Sequence, residues 1–303
     1  MKKVVSLSLG SSKRDKRVTE TLLGETFEIS REGCDGNLER FATRLKELDG
    51  TVDAIGFGGM DRYVYAGDKR YEFAAAARLL AGATHTPVLD GSGLKNTLER
   101  EAIRYLADKG IVDFKHSKTL MVAGVDRFGM SEALDEQGGQ IVFGDLMFAL
   151  GIPSAIHGRK SHRTLARALL PVVVRMPLSL LYPMGEKQNQ IVPKYTKWYQ
   201  WADIIAGDFL YIRRHLPTPE SGVLHNKIIL TNTTTADDLP ELARRGAKLL
   251  ITTTPTFDGR SFGTNVMEAL LVARAGGKTL TSDEYAAALR ELNWTPSVRS
   301  LTL

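Results

Sequence analysis

Residues 118–145, KTLMVAGVDRFGMSEALDEQGGQIVFGD, leave the chain few ways to fold. Leu120 to Ala123 form a short apolar run, as expected of a strand buried on both faces. Gly124 to Gly129 is a turn, and Met130 to Gln137 has helical spacing that Gly138-Gly139 stops. Ile141-Val142-Phe143 is a second strand ending at Gly144-Asp145. Strand, tight turn, helix and strand make one βαβ unit, shaped like a mononucleotide-binding half.

Around this unit the chain divides at a polar stretch, Lys109 to Ser117. Residues 1–115 are strand-rich. Val18–Leu23 and Thr26–Ile29 read as a hairpin, as do Tyr63–Tyr65 and Tyr71–Phe73. Residues 116–303 alternate strand and helix, the pattern of a parallel sheet with right-handed crossovers. The expected fold is α/β: a Rossmann-like parallel-sheet, nucleotide-binding domain (116–303) preceded by a smaller, hairpin-containing α/β substrate domain (1–115). Leu165 to Leu181 is the most apolar window, but Arg167, Pro171, Arg175 and Pro177 make it a buried or interface helix rather than a membrane span. Met184 to Lys197 is polar and carries Pro193, which marks it as a candidate lid.

Composition removes several classes. Hydrophobic residues are 43% and charged residues 25%, ordinary for a globular chain. Cys34 is the single cysteine, which excludes an internal disulfide and suits a reducing, cytoplasmic setting. The six histidines lack metal spacing, and His157 and His162 have no carboxylate partner close in sequence, so no metal site is expected. The net charge of +5 is dispersed, with no nucleic-acid motif, and fits a small anionic substrate better. Neither nucleic acid nor a membrane is an expected partner; a homo-oligomer is compatible with the sequence.

In an open α/β sheet, ligands bind beyond the carboxyl ends of the strands. Five such ends in the second half are rich in Gly, Asp, Asn, Thr or Ser: Gly124–Gly129, Gly144-Asp145, Gly207-Asp208, Thr231–Thr235 and Thr252–Asn265. A dinucleotide turn has three glycines. Here Gly124 and Gly129 keep the outer two, and Asp126 replaces the middle one. A carboxylate there opposes a pyrophosphate unless Arg127 compensates. Asp145 ends the next strand, where it would accept ribose hydroxyls, and Thr233 lines a neighbouring end. NAD is the expected cofactor, ahead of NADP, because no arginine follows Asp145 to hold a 2′-phosphate.

In the first half the sharpest feature is DGSGLKNT, from Asp90 to Thr97. A Gly-Ser-Gly turn opening a helix presents free N–H groups to an anion. Asp90, Ser92, Asn96 and Thr97 are expected to bind substrate there, with Lys13, Arg260 and Asn265 converging from elsewhere. Lys95 and Asp126 are the expected catalytic pair, provided burial lowers the lysine pKa. Asp61 and Arg62, after Gly58-Gly59, form a weaker pair of the same kind.

Several runs together resemble bacterial proteins described as quinate 5-dehydrogenases: SLGSSKRD from Ser8, DGSGLKNTLER from Asp90, VDRFGM from Val125, FGDLMFALGIP from Phe143, ADIIAGDF from Ala202 and GRSFGTNVMEA from Gly259. The resemblance implies an NAD-dependent oxidoreductase acting on a small polyhydroxylated carboxylic acid such as quinate or shikimate. Shikimate and quinate dehydrogenases are distantly similar in domain order. This chain lacks their substrate-lysine motif, their Asn-Thr-Asp-Gly run and their glycine-rich turn, so Lys95 matches by role alone. Two other readings fit the same layout: a nucleotide-sugar or phosphate-dependent transferase, and a non-catalytic binding protein for a small anion.

Overall fold

The structure, a computed structural model, describes residues 1–67, 69–177, 190–254, 256–257, 260–261 and 263–301, without the side chains at 256, 257, 260 and 261. It has two α/β lobes, each built on a mostly parallel sheet. The first sheet comprises β1 (Lys2–Ser8), β2 (Lys16–Leu22), β3 (Glu25–Gly33), β4 (Ala54–Gly58) and β7 (Val88–Leu89), in the order β2-β3-β1-β4-β7. Only β2 runs antiparallel, paired with β3 through the expected hairpin. Leu23 and Gly24 turn it with φ of 53° and 76°, the two positive values that a tight primed turn requires. A separate hairpin joins β5 (Tyr63–Ala66) to β6 (Lys69–Glu72).

The second sheet holds β8 (Lys118–Met121), β9 (Gln140–Phe143), β10 (Ile156–His157), β11 (Ile204–Gly207), β12 (Ile228–Thr231), β13 (Leu249–Thr252) and β16 (Ser297–Ser300), in the order β10-β9-β8-β11-β12-β13-β16. Its five central strands are parallel and its two edges antiparallel. The period of two explains why this sheet needs helices on both faces. Leu120 and Ile205 point into one apolar cluster, Met121 and Ala206 into another. The fold is thus the expected one, a parallel-sheet lobe preceded by a hairpin-containing α/β lobe.

In each sheet the first strand lies between the second and third parallel strands. That arrangement creates a topological switch point, where connections leave in opposite directions and open a crevice. In the first sheet it falls between β1 and β4, and in the second between β8 and β11.

The lobes are stitched together more than once. A junction helix, Ser92–Asp108, follows β7; its Leu94 and Leu98 enter a core of the first lobe and its Ile103 and Leu106 a core of the second. Helix Arg159–Val173 continues from β10 and places Ala166 and Leu170 in the first lobe's other core. The expected helix over 162–181 therefore begins earlier and ends at Val173; residues 178–181 lie outside the described residues. Of the expected lid, residues 184–189 lie outside as well. Ile191 and Tyr195 pack on the second lobe, with the Tyr195 hydroxyl donating to the Met147 carbonyl at 2.9 Å.

A later helix, Thr264–Arg274, does not stay with the domain in which it was expected. Every residue from Val266 to Ala273 is buried, most of them against Val4, Phe27, Ile29 and Ala54 of the first sheet. A helix apolar on all sides must be enclosed, and this return helix is enclosed by the lobe that the chain left at residue 90. Leu270 is 2% exposed. Leu270→Ala is expected to lower the unfolding free energy by about 2–5 kcal/mol, the range for truncating a core leucine, as read from urea unfolding with a probe in the first lobe.

Candidate functional site

Lys95 is buried in the first turn of the junction helix, 8% exposed. Its ammonium donates to Asp126 Oδ1 at 2.8 Å and to Asp61 Oδ1 at 3.4 Å. Asp61 follows β4 at the first sheet's switch point, and Asp126 follows β8 at the second's. Arg127, next in the chain, is 6% exposed. It donates from Nη1 to Glu99 Oε1 at 2.6 Å and from Nη2 to Asp208 Oδ2 at 2.7 Å, and its Nε lies 3.2 Å from Asp126 Oδ2. Glu99 is four residues beyond Lys95, so helical spacing puts both on one face. Asp208 follows β11, where Asn232 steadies it through a 2.8 Å bond. Both switch points thus discharge into one buried ionic network of two cations and four carboxylates.

Proton affinities in this network follow from burial and charge. Burial alone would lower the Lys95 pKa, but Asp126 and Asp61 more than reverse that, and the ammonium holds its proton above the usual lysine range. Burial pushes Asp126 up, while Lys95 and Arg127 pull it back below the usual aspartate value. Burial and the charge of Asp126 raise Asp61 to about 6, against the pull of Lys95. Burial raises Glu99 as well, with Arg127 opposing. The half-buried Tyr211 lies near the same network; burial first, then Asp126, Asp61 and Asp208, raise its pKa. The expected catalytic pair is therefore brought together in the wrong protonation states. Lys95 stays charged and Asp126 ionised, so neither is poised to exchange a proton near neutral pH.

The dinucleotide turn is also put to another use. Arg127 is consumed by internal carboxylates. Asp145 is buried, with one oxygen accepting the Val125 N–H at 2.9 Å and the other 3.1 Å from His162 Nε2, so its carboxylate faces the interior rather than a ribose. His162 thus has the carboxylate partner that sequence spacing did not reveal, and its ring stacks on Phe143 at 4.1 Å. A Cβ on Gly124 would lie 2.8 Å from that imidazole, and one on Gly129 would run into the Asn96 carbonyl. These glycines permit close packing inside the protein, not the approach of a pyrophosphate. Thr233 is exposed beyond β12.

The anion cradle at Asp90–Thr97 exists, but the chain fills it itself. Glu268 of the return helix directs its carboxylate at the junction helix's N-terminus, where the Gly91 and Gly93 N–H groups reach it and the Tyr285 hydroxyl donates at 2.9 Å. Asp90 binds the backbone N–H groups of Arg62, Tyr63 and Ser92 at 2.8–3.1 Å, so it shapes the turn. Ser92 and Thr97 are buried, and the Thr97 hydroxyl has no hydrogen-bond partner among the described residues. Asn96 accepts weakly from Arg100 Nε at 3.4 Å. Asn265 donates to Ser6 Oγ at 3.4 Å and presses on Gly56, Gly58 and Gly91. Asp90–Thr97 therefore meets both Asp126 and Asn265, as a shared junction requires. Lys13 sits apart on the exposed turn Ser12–Arg14, beside Asp35. Arg260 pairs through its backbone with Phe257, and its side chain lies outside the described residues.

Glu99, Tyr211 and Glu268 were not singled out from the sequence, and Asp208 was marked only as part of the strand end Gly207-Asp208. Glu99 could have been found from its spacing to Lys95. Glu268 could have been found as the lone charge in the apolar run Val266–Ala273. Tyr211 carries no such signal. Among the described residues no cluster suited to a metal ion occurs, and no helix is long and apolar enough to cross a membrane.

Two family models match the chain. One, described as "Domain of unknown function (DUF8754)", covers residues 93–301, and a second, "Domain of unknown function (DUF8753)", covers residues 3–90. They divide where β7 gives way to the junction helix. No curated protein matches. Among solved structures, a periplasmic ribose ABC transporter protein from Conexibacter woesei is similar at 10% identity and TM-score 0.42, over 95% of this chain and 94% of that one. A periplasmic solute binding protein from Actinobacillus succinogenes with bound D-allose is similar at 13% identity and TM-score 0.41, over 99% and 98%. A putative malic enzyme is similar at 12% identity and TM-score 0.39, over 96% and 84%. Likenesses this low carry no argument about function.

The quinate 5-dehydrogenase resemblance is corrected by these findings. Both matching family models are described only as domains of unknown function, and neither as a dehydrogenase. The geometry gives the physical reason against an NAD-dependent oxidoreductase. The turn that should hold the dinucleotide is occupied by internal ion pairs, and the proton-handling pair is locked.

Glu268 offers a direct check on the filled cradle. Burial raises its pKa to about 7, and Asp90 adds to the rise. A raised carboxyl lends stability that is complete below the unfolded value, near 4.3, and is lost as pH rises through about 7. Relative to Glu268→Gln, the wild type is expected to lose up to about 3 kcal/mol between pH 5 and 7.5. Urea midpoints of the two proteins across that range measure it; parallel curves would mean that Glu268 titrates normally.

Proposed function

The chain belongs to the family described as "Domain of unknown function (DUF8754)", and we propose that it is a non-catalytic binding protein that holds a small polar molecule where its two lobes meet. One observation carries this reading: the switch points of both sheets empty into the same network, through Asp61 on one side and Asp126, Arg127 and Asp208 on the other. Ligands of open α/β sheets sit at such points, and a molecule between the two would touch both lobes at once.

The Lys95–Asp126 pair is set for binding rather than proton transfer, while Asp61, raised to about 6 by burial and Asp126, is nearer neutral pH. A general acid or base works best with a pKa near the working pH, whereas Lys95 and Asp126 are driven away from it in opposite directions. A fixed ion pair instead sets the position of neighbouring hydrogen-bonding groups before a ligand arrives, which lowers the ordering cost of binding. Asp61 and Asp208 form the accessible margin of the network, with side chains 28% and 16% exposed.

Thermal denaturation against a panel of sugars, cyclitols, amino acids, organic acids and NAD tests the reading. A ligand at 100 times its Kd adds about 2.7 kcal/mol, so at least one small polar compound is expected to raise Tm clearly. Mass spectrometry is expected to recover it unchanged after prolonged incubation. Stabilisation by NAD alone, or conversion of the ligand, would overturn the proposal.

A further inference from the structure

The network also constrains which chemical class can bind, on the reading that the junction is the binding site. Its positive charge is already committed. Lys95 donates to Asp126 and Asp61, and all three nitrogens of Arg127 face internal carboxylates. The N-terminus of the junction helix holds the Glu268 carboxylate, and the helix that follows β11 is capped by Asp208 itself. Acceptor capacity, in contrast, is left over. Glu99 is fully buried and its Oε2 has no hydrogen-bond partner among the described residues, although its Oε1 is bound to Arg127. Asp208 accepts from Arg127 and Asn232 with Oδ2 and from the Leu210 N–H with Oδ1, so Oδ1 keeps a further lone pair. The half-buried Tyr211 hydroxyl feels the charge of Asp126, Asp61 and Asp208.

An incoming anion would add like charge to four carboxylates that face only two cations, both already paired with them. An incoming hydroxyl or ammonium group would supply the hydrogens that these oxygens lack, and bonds to ionised acceptors are the stronger kind. We propose that the ligand is a small donor-rich molecule, a polyol or aminopolyol without a carboxylate or phosphate, whose hydrogens are taken by Asp208, Glu99 and Tyr211. This reverses the anionic substrate expected from the overall positive charge, because the cations at the junction are paired internally.

Isothermal titration of the full chain with myo-inositol, D-ribose and D-glucosamine, set against D-gluconate and ribose 5-phosphate, tests the class. At least one of the first three is expected to bind, the aminosugar arm separating ammonium from hydroxyl recognition. Asp208→Asn is expected to weaken that binding by about tenfold or more, and Tyr211→Phe, which removes one hydroxyl and leaves the Arg127 pairs intact, by several-fold. If Asp208→Asn fails to fold, Tyr211→Phe alone decides. Tighter binding of gluconate or ribose 5-phosphate that is lost in either variant would overturn the class and leave the junction as the site. Binding of any probe that neither substitution alters would overturn the site itself. Heat from none of the probes at millimolar concentration would overturn the class as stated.

Discussion

Two cations buried between the lobes, Lys95 and Arg127, fix the position of everything around them. A buried charge is tolerated only when paired and hydrogen-bonded. Here the partners come from four separate places: Asp61 beyond β4, Asp126 beyond β8, Glu99 on the junction helix and Asp208 beyond β11. Removing Asp126 would take a partner from both cations at once. The network therefore ties the switch point of one sheet to that of the other, and the lobes cannot shift at this point without breaking several ion pairs together.

Close packing enforces the same geometry. Gly129 lets its helix ride against the junction helix at Asn96, and Gly91, with φ of 91°, lets the chain turn beneath Asn265. Behind the turn at Gly124, the Asp145–His162 pair holds the loop that carries Asp126 and Arg127. Specificity in such a site comes from backbone held rigidly in place, so that a few polar atoms meet a ligand without rearranging.

Much of this was legible in the residues. Apolar runs such as Leu120–Ala123 and Ile204–Ala206 can hardly be anything but buried strands, and the polar residues after them marked the strand ends that line the junction. The pairing of Lys95 with Asp126 was legible for the same reason: both follow glycine-bearing turns at strand ends. What the residues could not reveal was which groups would satisfy one another. Arg127 looked available to a pyrophosphate until Glu99 and Asp208 arrived beside it, and the N–H groups at Gly91 and Gly93 looked free until Glu268 filled them. Both partners of the latter contact are short-range motifs in isolation, separated by some 175 positions in the chain. Anion-binding signatures report unsatisfied donors; they do not say whether the anion is a ligand or a side chain from elsewhere in the fold.

The return helix has a consequence for how the protein is made. Lys2 donates to the carbonyl of Ala273 at 2.6 Å, and Val4, Phe27 and Ile29 bury against Val266–Ala273. During translation the first ninety residues leave the ribosome with one face of their sheet bare, and it stays bare until residues 264–274 have been made. Contacts so distant in sequence form slowly, and an uncovered apolar sheet is prone to self-association meanwhile. The first sheet is therefore covered only after the five parallel strands of the second lobe have been made.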